Sequence, residues 1–367
     1  MKTARTLVGY TEARCDDPRG QYYNTRTQRA MWVHADGTAR REVGKSLITR
    51  EHQYTQFAGW WPDGRAKILV GWESEENGIW EHGHRDFRFL DCHWLVDTCL
   101  VDLETGDAVN LTAVDRVSFY NVGVHPLPGD SGRLGFSAII DGQSRPYAMA
   151  LDGTDKKPVL AADGFIYGIA VSPDGKRVAY ASSYKLHLAD GDGSNAVRID
   201  TGHPFNFLPT WSPDSQWVLF GCGPNNRNYH PYLIAADGTG LRKLVDRGGY
   251  NCAMEALDHP DFHSASSDLP AWSPDSRWVY CTVKVGEAVE LLRISVDGKT
   301  REELTESEPG VFNYHPAISP CGKWIAFGST RDGARALYVS RVDGSEVRAI
   351  TEAKQGRKQM HAHWSAL

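Results

Sequence analysis

Four stretches of the chain repeat a single phrase: GIAVSPDGKRVAYAS (168–182), LPTWSPDSQWVLFGC (208–222), LPAWSPDSRWVYCTV (269–283) and HPAISPCGKWIAFGS (315–329). QFAGWWPDGRAKILVGW (56–72) is a fifth copy, and GVHPLPGDSGRLGFSAI (123–139) a degenerate sixth. Self-similarity of this kind means that each copy is one supersecondary unit stacked on its neighbours. Within a copy, a short strand ends at Trp or an aliphatic residue, Ser-Pro-Asp-Gly turns, and a β-rich run returns. Pro presets φ at the second turn position, while Asp and Gly suit the later ones. A second turn follows each return run, at HADGT, LETGD, LDGT, DGDGS, ADGTG, VDGK or VDGS, and a further short strand such as GLRKLV (240–245) comes after it. Four antiparallel strands per copy make the blade of a β-propeller.

Seven second turns stand against only six complete first hairpins. The N-terminus opens directly on a return strand, TLVGYTEA (6–13), and the strand it lacks is HAHWSAL (361–367) at the other end. There, Trp364-Ser365 falls on the register of Trp211-Ser212 and Trp272-Ser273. The expectation is an all-β chain, a single seven-bladed β-propeller over 1–367 with four-stranded antiparallel blades. The first blade is built from about 1–50 plus 359–367, so that no sheet edge stays unpaired at the join.

Twelve tryptophans and 36 glycines among 367 residues fit many short strands joined by tight turns. The net charge of −6 is spread along the chain, with no basic stripe for nucleic acid and no polybasic membrane patch. Apolar runs are strand-sized, too short for a membrane-spanning helix. MKTARTLVGYTEAR has no apolar core of a signal peptide, and seven scattered cysteines form no disulfide framework. Both features point to the cytoplasm, with the periplasm the alternative if a leader has been removed.

Propeller geometry puts the loop leading into each first strand, and the loop between second and third strands, on one face. Most of the 14 histidines fall in those loops, which makes that face the expected functional surface. The longest insertion, ESEENGIWEHGHRDFRFLDCHW (73–94) in the second blade, reads as a binding loop or lid. Its Trp80, His82, His84 and Arg85, with Asp268 ahead of the sixth blade's first strand, are the expected substrate-binding residues. Aromatic faces beside arginine suit stacking on sugars and pairing with carboxylates. Gln359, His361 and His363 alternate along one strand and project to one side if the strand is regular. His-x-His with a Gln carbonyl is a donor set for a divalent ion. His315 in FNYHPAIS and His263 in HPDFHSASSD offer imidazoles from two further blades. The plainer alternatives are a solvated rim pair and a packed strand start.

The repeated SPDG phrase resembles the TolB-type (PD40) propeller repeat over essentially the whole chain. Families sharing it include periplasmic TolB, the propeller halves of prolyl-oligopeptidase-type peptidases, and oligogalacturonate lyases, so the fold alone does not set the function. No G-x-S-x-G is present to mark a hydrolase partner. The resemblance to oligogalacturonate lyases implies a metal site of histidines and a glutamine on first strands, with an Arg and a His from the preceding blade moving protons. Carried over, it implies His263 and His315 as ligands of a divalent metal, Mn²⁺ first and Ca²⁺ or Zn²⁺ after it, with Gln359, His361 and His363 as substitutes from the adjacent blade outside the family pattern. It implies Arg227 and His230 as the Arg and His pair, read here as neutraliser of the substrate carboxylate and base; Tyr229 between them is the expected proton donor to the leaving oxygen. The chain departs from the family where that Gln and a paired His fall near Gly310 and Asn313. The chemistry suits these residue types, because the proton α to a carboxylate becomes acidic only when the carboxylate's charge is neutralised. A near-neutral imidazole can then remove it. The expected function is metal-assisted β-elimination on a uronate-containing, acidic oligosaccharide. One alternative is a non-catalytic TolB-like propeller recognising a protein or glycan. The other is a metal-dependent glycoside hydrolase or epimerase using Asp268 and Glu81.

Overall fold

A computed structural model describes residues 6–84, 94–113, 124–127, 132–140, 143–159, 164–225, 228–249 and 268–366. In chain order its elements begin with β1 (Leu7–Arg14), α1 (Gln21–Thr25), β2 (Arg29–His34), β3 (Arg41–Glu42), β4 (Gln53–Trp60), β5 (Ala66–Glu73), α2 (Glu75–His84), β6 (Trp94–Val101) and β7 (Ala108–Asn110). The middle of the chain forms β8 (His125–Pro126), β9 (Arg133–Ile140), β10 (Gln143–Ala150), β11 (Lys157–Pro158), β12 (Ile166–Val171), β13 (Arg177–Ser182), β14 (Lys185–Asp190), β15 (Val197–Arg198), β16 (Phe205–Trp211), β17 (Trp217–Gly223), β18 (His230–Ala235) and β19 (Arg242–Lys243). Last come β20 (Ala271–Trp272), β21 (Trp278–Val285), β22 (Ala288–Ser295), β23 (Arg301–Glu303), β24 (Asn313–Ile318), β25 (Trp324–Ser329), β26 (Ala336–Arg341), β27 (Arg348–Ala349) and β28 (Arg357–Trp364).

These strands form seven four-stranded antiparallel sheets, the blades of a seven-bladed β-propeller. Six blades use four consecutive strands, and the first has the order β28-β1-β2-β3. The C-terminal strand therefore completes the sheet that the N-terminus begins. Val8 pairs with Trp364, and Arg14 with Arg357. Beyond the last paired residue Ser365 donates its N–H to the Leu7 carbonyl at 2.9 Å and accepts the Leu7 N–H on Oγ at 3.0 Å. By contact density the chain divides into two compact units. One is Met1–Arg88, Cys99–Asn110 and Tyr250–Leu367, with blades 1, 6 and 7 and most of blade 2; the other is Phe89–Thr98 and Leu111–Gly249, with blades 3, 4 and 5 and the start of β6.

The repeated phrase is a hydrogen-bonded turn. Ser212 Oγ donates to Asp214 at 2.6 Å and accepts the Trp217 N–H at 2.9 Å, so one hydroxyl closes the hairpin from both sides. Ser172 and Ser273 repeat the arrangement in blades 4 and 6. First-strand tryptophans tie three of the blades to the one before. Trp211 Nε1 donates to the Ala170 carbonyl at 3.0 Å, Trp364 Nε1 to Ala317 at 2.9 Å, and Trp60 Nε1 to His363 at 2.9 Å. Apolar side chains fill the space between sheets: Val8, Tyr10, Leu337, Val339 and Trp364 in the first unit, and Leu188, Trp211, Val218 and Phe220 in the second. Burying each contributes about 1.5–3 kcal/mol before entropy is subtracted.

Two expectations need correction in detail. The second-blade insertion is not all loop, because residues 75–84 form α2, while 85–93 lie outside the described residues. The strand carrying Gln359, His361 and His363 is not regular either. Thr11 pairs with Met360 and Gly9 with His363, so two residues of β28 oppose one of β1 in a β-bulge. Strict alternation of side chains ends there.

Candidate functional site

The bulge recurs on first strands. Pairing shifts at corresponding places in blades 1, 2, 4, 5 and 7, between β28 and β1, β4 and β5, β12 and β13, β16 and β17, and β24 and β25. At or beside each shift one residue takes a positive φ: Gly59 at 130°, Gly168 at 95°, Leu208 at 47°, His315 at 53° and His361 at 55°. Glycine meets this requirement freely, whereas a side chain there costs about 1–3 kcal/mol. Two adjacent blades of the first unit place histidine at the strained position.

Their surroundings hold the strain. His315 is 6% exposed, and its N–H donates to Asp268 Oδ1 at 3.0 Å. The other Asp268 oxygen accepts from Thr282 Oγ1, so the buried carboxylate clamps the left-handed backbone. Next door, the His361 N–H donates to His315 Nδ1 at 3.1 Å. That bond fixes the neutral tautomer of His315, with its proton on Nε2. The two rings stack with centroids 4.2 Å apart and planes inclined by 18°. His361 keeps some accessible surface, yet crowding by protein pushes its pKa down to about 4. His363 is held at about 3 by burial first, with help from His361 and Lys67. Both imidazoles are neutral at pH 7.

Lys67 is the residue that sequence reasoning missed. Its ammonium is pushed down to about 8 by loss of water. A Cβ at Gly59 would lie 3.5 Å from Lys67 Cε and 3.9 Å from both Lys67 Nζ and His363 Nδ1, so lysine and histidine flank the same gap. The signal was a lysine inside the return run RAKILVGW, where the other copies carry apolar residues.

The metal set implied by resemblance does not fit this arrangement. Imidazole binds a metal along a lone pair in its ring plane at about 2 Å. Stacked rings with centroids 4.2 Å apart and nearly parallel planes cannot bring two such lone pairs onto one ion. The Lys67 charge beside His363 opposes a divalent cation there. Gln359 is buried, with Nε2 donating to Glu12 at 3.1 Å and its main-chain carbonyl accepting from Tyr314 Oη at 3.1 Å. Among the described residues, no three His, Cys, Asp or Glu side chains are grouped to hold an ion. His263 lies outside the described residues.

The remaining expected residues fall elsewhere. His230 opens β18 in the second unit, where Nδ1 accepts the Arg247 N–H at 3.1 Å and Nε2 faces Asp246 at 3.6 Å. Both nitrogens are turned to protein, and burial lowers its pKa. Tyr229 is buried, with Phe207 edge-on and the Arg247 guanidinium 4.8 Å from its ring centroid. Arg227 lies outside the described residues. On α2, His84 donates from Nδ1 to the Trp80 carbonyl at 2.8 Å and stacks on the Trp80 ring at 4.2 Å, covering one face of that indole. The His82 side chain and all of Arg85 are outside the described residues. Asp268 is a buried positioning group for His315 and offers no surface to a sugar. A second buried acidic group lies on the second blade. Burial and the neighbouring Glu81 carboxyl raise Glu73 to about 8, while Asn77 Nδ2 donates to its Oε1 at 3.1 Å.

Comparison with known proteins bears on the fold. Uncharacterized protein Atu1656 of Agrobacterium fabrum is 35% identical over 189 residues, 50% of this chain and 58% of that protein. Dipeptidyl-peptidase 5 of Porphyromonas endodontalis is 25% identical over 213 residues, 56% of this chain and 29% of the peptidase. The chain thus matches less than two thirds of the length of either relative. Among solved structures, TolB from Acinetobacter baumannii aligns over 99% of this chain and 67% of its own, at 13% identity and a TM-score of 0.51. An oligogalacturonate lyase in complex with manganese aligns over 69% of this chain and 71% of its own, at 15% identity and a TM-score of 0.49, too weak a likeness to bear on the site. The profile of the TolB beta propeller domain (PD40) matches residues 181–367, which is half of the chain, and with the bladed architecture above it places this protein in the TolB-type propeller family.

Proposed function

We propose that the protein is a ligand-binding propeller that takes a small acidic saccharide on the first strands of blades 7, 1 and 2. The observation that carries this reading is the pair His315 and His361, both held in left-handed conformations and stacked on one another. Strain of this kind persists where surrounding structure over-determines it, and it concentrates at functional sites. Neutral imidazoles supply donors and acceptors for hydroxyl groups, and the partly exposed Trp60 beside His363 adds apolar surface. The direct test is calorimetric titration with a panel of uronic acid disaccharides. Micromolar to millimolar binding that is lost in His361→Ala supports the reading, and no heat from any saccharide ends it.

A second reading, elimination, is favoured by the nearness of a cation to the imidazoles. Lys67 would neutralise the uronate carboxylate and a neutral imidazole would take the proton α to it. The electron pair left on that carbon forms a double bond to the next one, whose bond to the glycosidic oxygen breaks, and the leaving oxygen takes up a proton. An imidazole held near 4 is a weak base, which sets this reading second. An entering carboxylate would raise it. Ultraviolet absorbance of an unsaturated uronate in the same incubations supports elimination, and binding without absorbance leaves a binding module.

A further inference from the structure

A cavity of about 230 Å³ opens where blade 7 meets blade 1. Its walls are the loops leading into β24 and β28 and the loop between β25 and β26. Arg335, Lys354 and Arg357 line it with Phe312, Thr330 and Gln355, and no acidic side chain does, in a chain whose net charge is −6. Lys354 and Arg357 begin and end one turn, closed by the Arg357 N–H donating to the Lys354 carbonyl at 3.2 Å, with Gly356 at φ 72°. Gln355 Nε2 donates to the Gly333 carbonyl at 2.8 Å and ties this turn to the facing wall.

Like charges are gathered here. Arg357 pairs directly with Arg14 across β28 and β1, an arrangement that costs stability. Three residues before the pair that precedes the bulge, blades 7 and 5 have Val311 and Pro204 where blade 1 has Arg357. Acids on the adjoining turns are engaged: Asp16 accepts from Arg14 Nε at 2.9 Å, and Asp332 from Tyr338 Oη at 2.6 Å. Arg335 Nη1 lies 3.7 Å from Cys15 Sγ, so its charge serves as background. Among the described residues, the Lys354 ammonium and the Arg357 guanidinium make no hydrogen bond or ion pair.

We infer that this cavity is an anion site, separate from the imidazoles of the first strands, and that it takes the phosphoryl dianion of a phosphate monoester. The Arg357 guanidinium suits two phosphate oxygens at once, and the Lys354 ammonium a third. Two cations without partners balance two negative charges, whereas a single carboxylate would leave one of them over. Lys354 is exposed, so the dianion keeps part of its hydration and desolvation does not cancel the attraction.

Glucose 6-phosphate and glucuronate carry a dianion and a monoanion at the same carbon of one sugar, and calorimetry on the full chain compares them. The phosphate is expected to bind about tenfold or more tightly than the uronate, to be displaced by inorganic phosphate, and to weaken as salt rises. Arg357→Gln and Lys354→Gln are each expected to weaken it about fivefold or more. Arg357→Gln is also expected to melt no lower than wild type, since Arg14 loses a like-charged neighbour. Two controls are expected to bind as wild type does: Lys323→Gln, which removes a charge from the first hairpin of blade 7 on the opposite face, and His361→Ala. Equal affinities for the two sugars, no binding at millimolar phosphate, or equal weakening in Lys323→Gln overturns the site. Loss of binding in His361→Ala overturns its separation from the imidazoles.

Discussion

His315 and His361 occupy positions that the same fold fills with glycine in blade 4. The physical consequence is a trade between strain and use. His361→Gly relieves about 1 kcal/mol of backbone strain while removing one ring of the stack. It is expected to unfold within about 1 kcal/mol of wild type in urea and to lose saccharide binding at least tenfold. Asp268 behaves oppositely, since its two oxygens satisfy the buried His315 N–H and the Thr282 hydroxyl. Asp268→Ala leaves both groups without that partner and is expected to cost about 2–4 kcal/mol in chemical denaturation. A loss under 1 kcal/mol would show that His315 does not need the clamp.

At the scale of the strand, β28 does two jobs with alternate features of one short sequence. Trp364 and Ser365 secure it: the indole N–H reaches the Ala317 carbonyl of blade 7, and Ser365 exchanges two hydrogen bonds with Leu7. His361 and His363 are then carried to the site by a strand fixed at its end. Trp364→Phe keeps the apolar packing and removes one donor, for an expected loss of about 1 kcal/mol in denaturant. Most of this was legible in advance, because the missing first strand at the N-terminus and the Trp-Ser register at the C-terminus specify the same closure. The bulge was not legible. His-x-His reads as simple alternation, and only the pairing of Met360 with Thr11 and His363 with Gly9 reveals the extra residue that stacks His361 on His315.

Across the whole molecule, buried ionisable groups set opposing pH dependences. Burial lowers His361 and His363 from an ordinary 6.5 to about 4 and 3, so unfolded chains bind more protons and stability falls as pH drops below 6.5. Glu73 is raised from 4.5 to about 8, so folded protein binds the extra proton and stability falls as pH rises from 4.5 to 8. Between 4.5 and 6.5 the two effects oppose; between 6.5 and 8 the Glu73 slope stands alone. Glu73→Gln keeps the acceptor for Asn77 and is expected to flatten unfolding free energy across that upper window, and an unchanged decline would exclude Glu73 as its source. The repeat made the bladed fold readable from sequence, since its turn chemistry is local and recurs. The site was less readable because it is built from cross-strand neighbours: Lys67 meets His363 through a glycine on a third strand, a relation no spacing along the chain encodes. Histidine-selective nuclear magnetic resonance of the full chain during titration with digalacturonate tests the proposed site most directly. The imidazole signals of His315, His361 and His363 are expected to shift together and saturate with one affinity, while those of His203 and His230 in the second unit stay in place. Saturating shifts confined to the second unit, or no shift at any imidazole, would contradict a ligand site on the first strands of blades 7, 1 and 2.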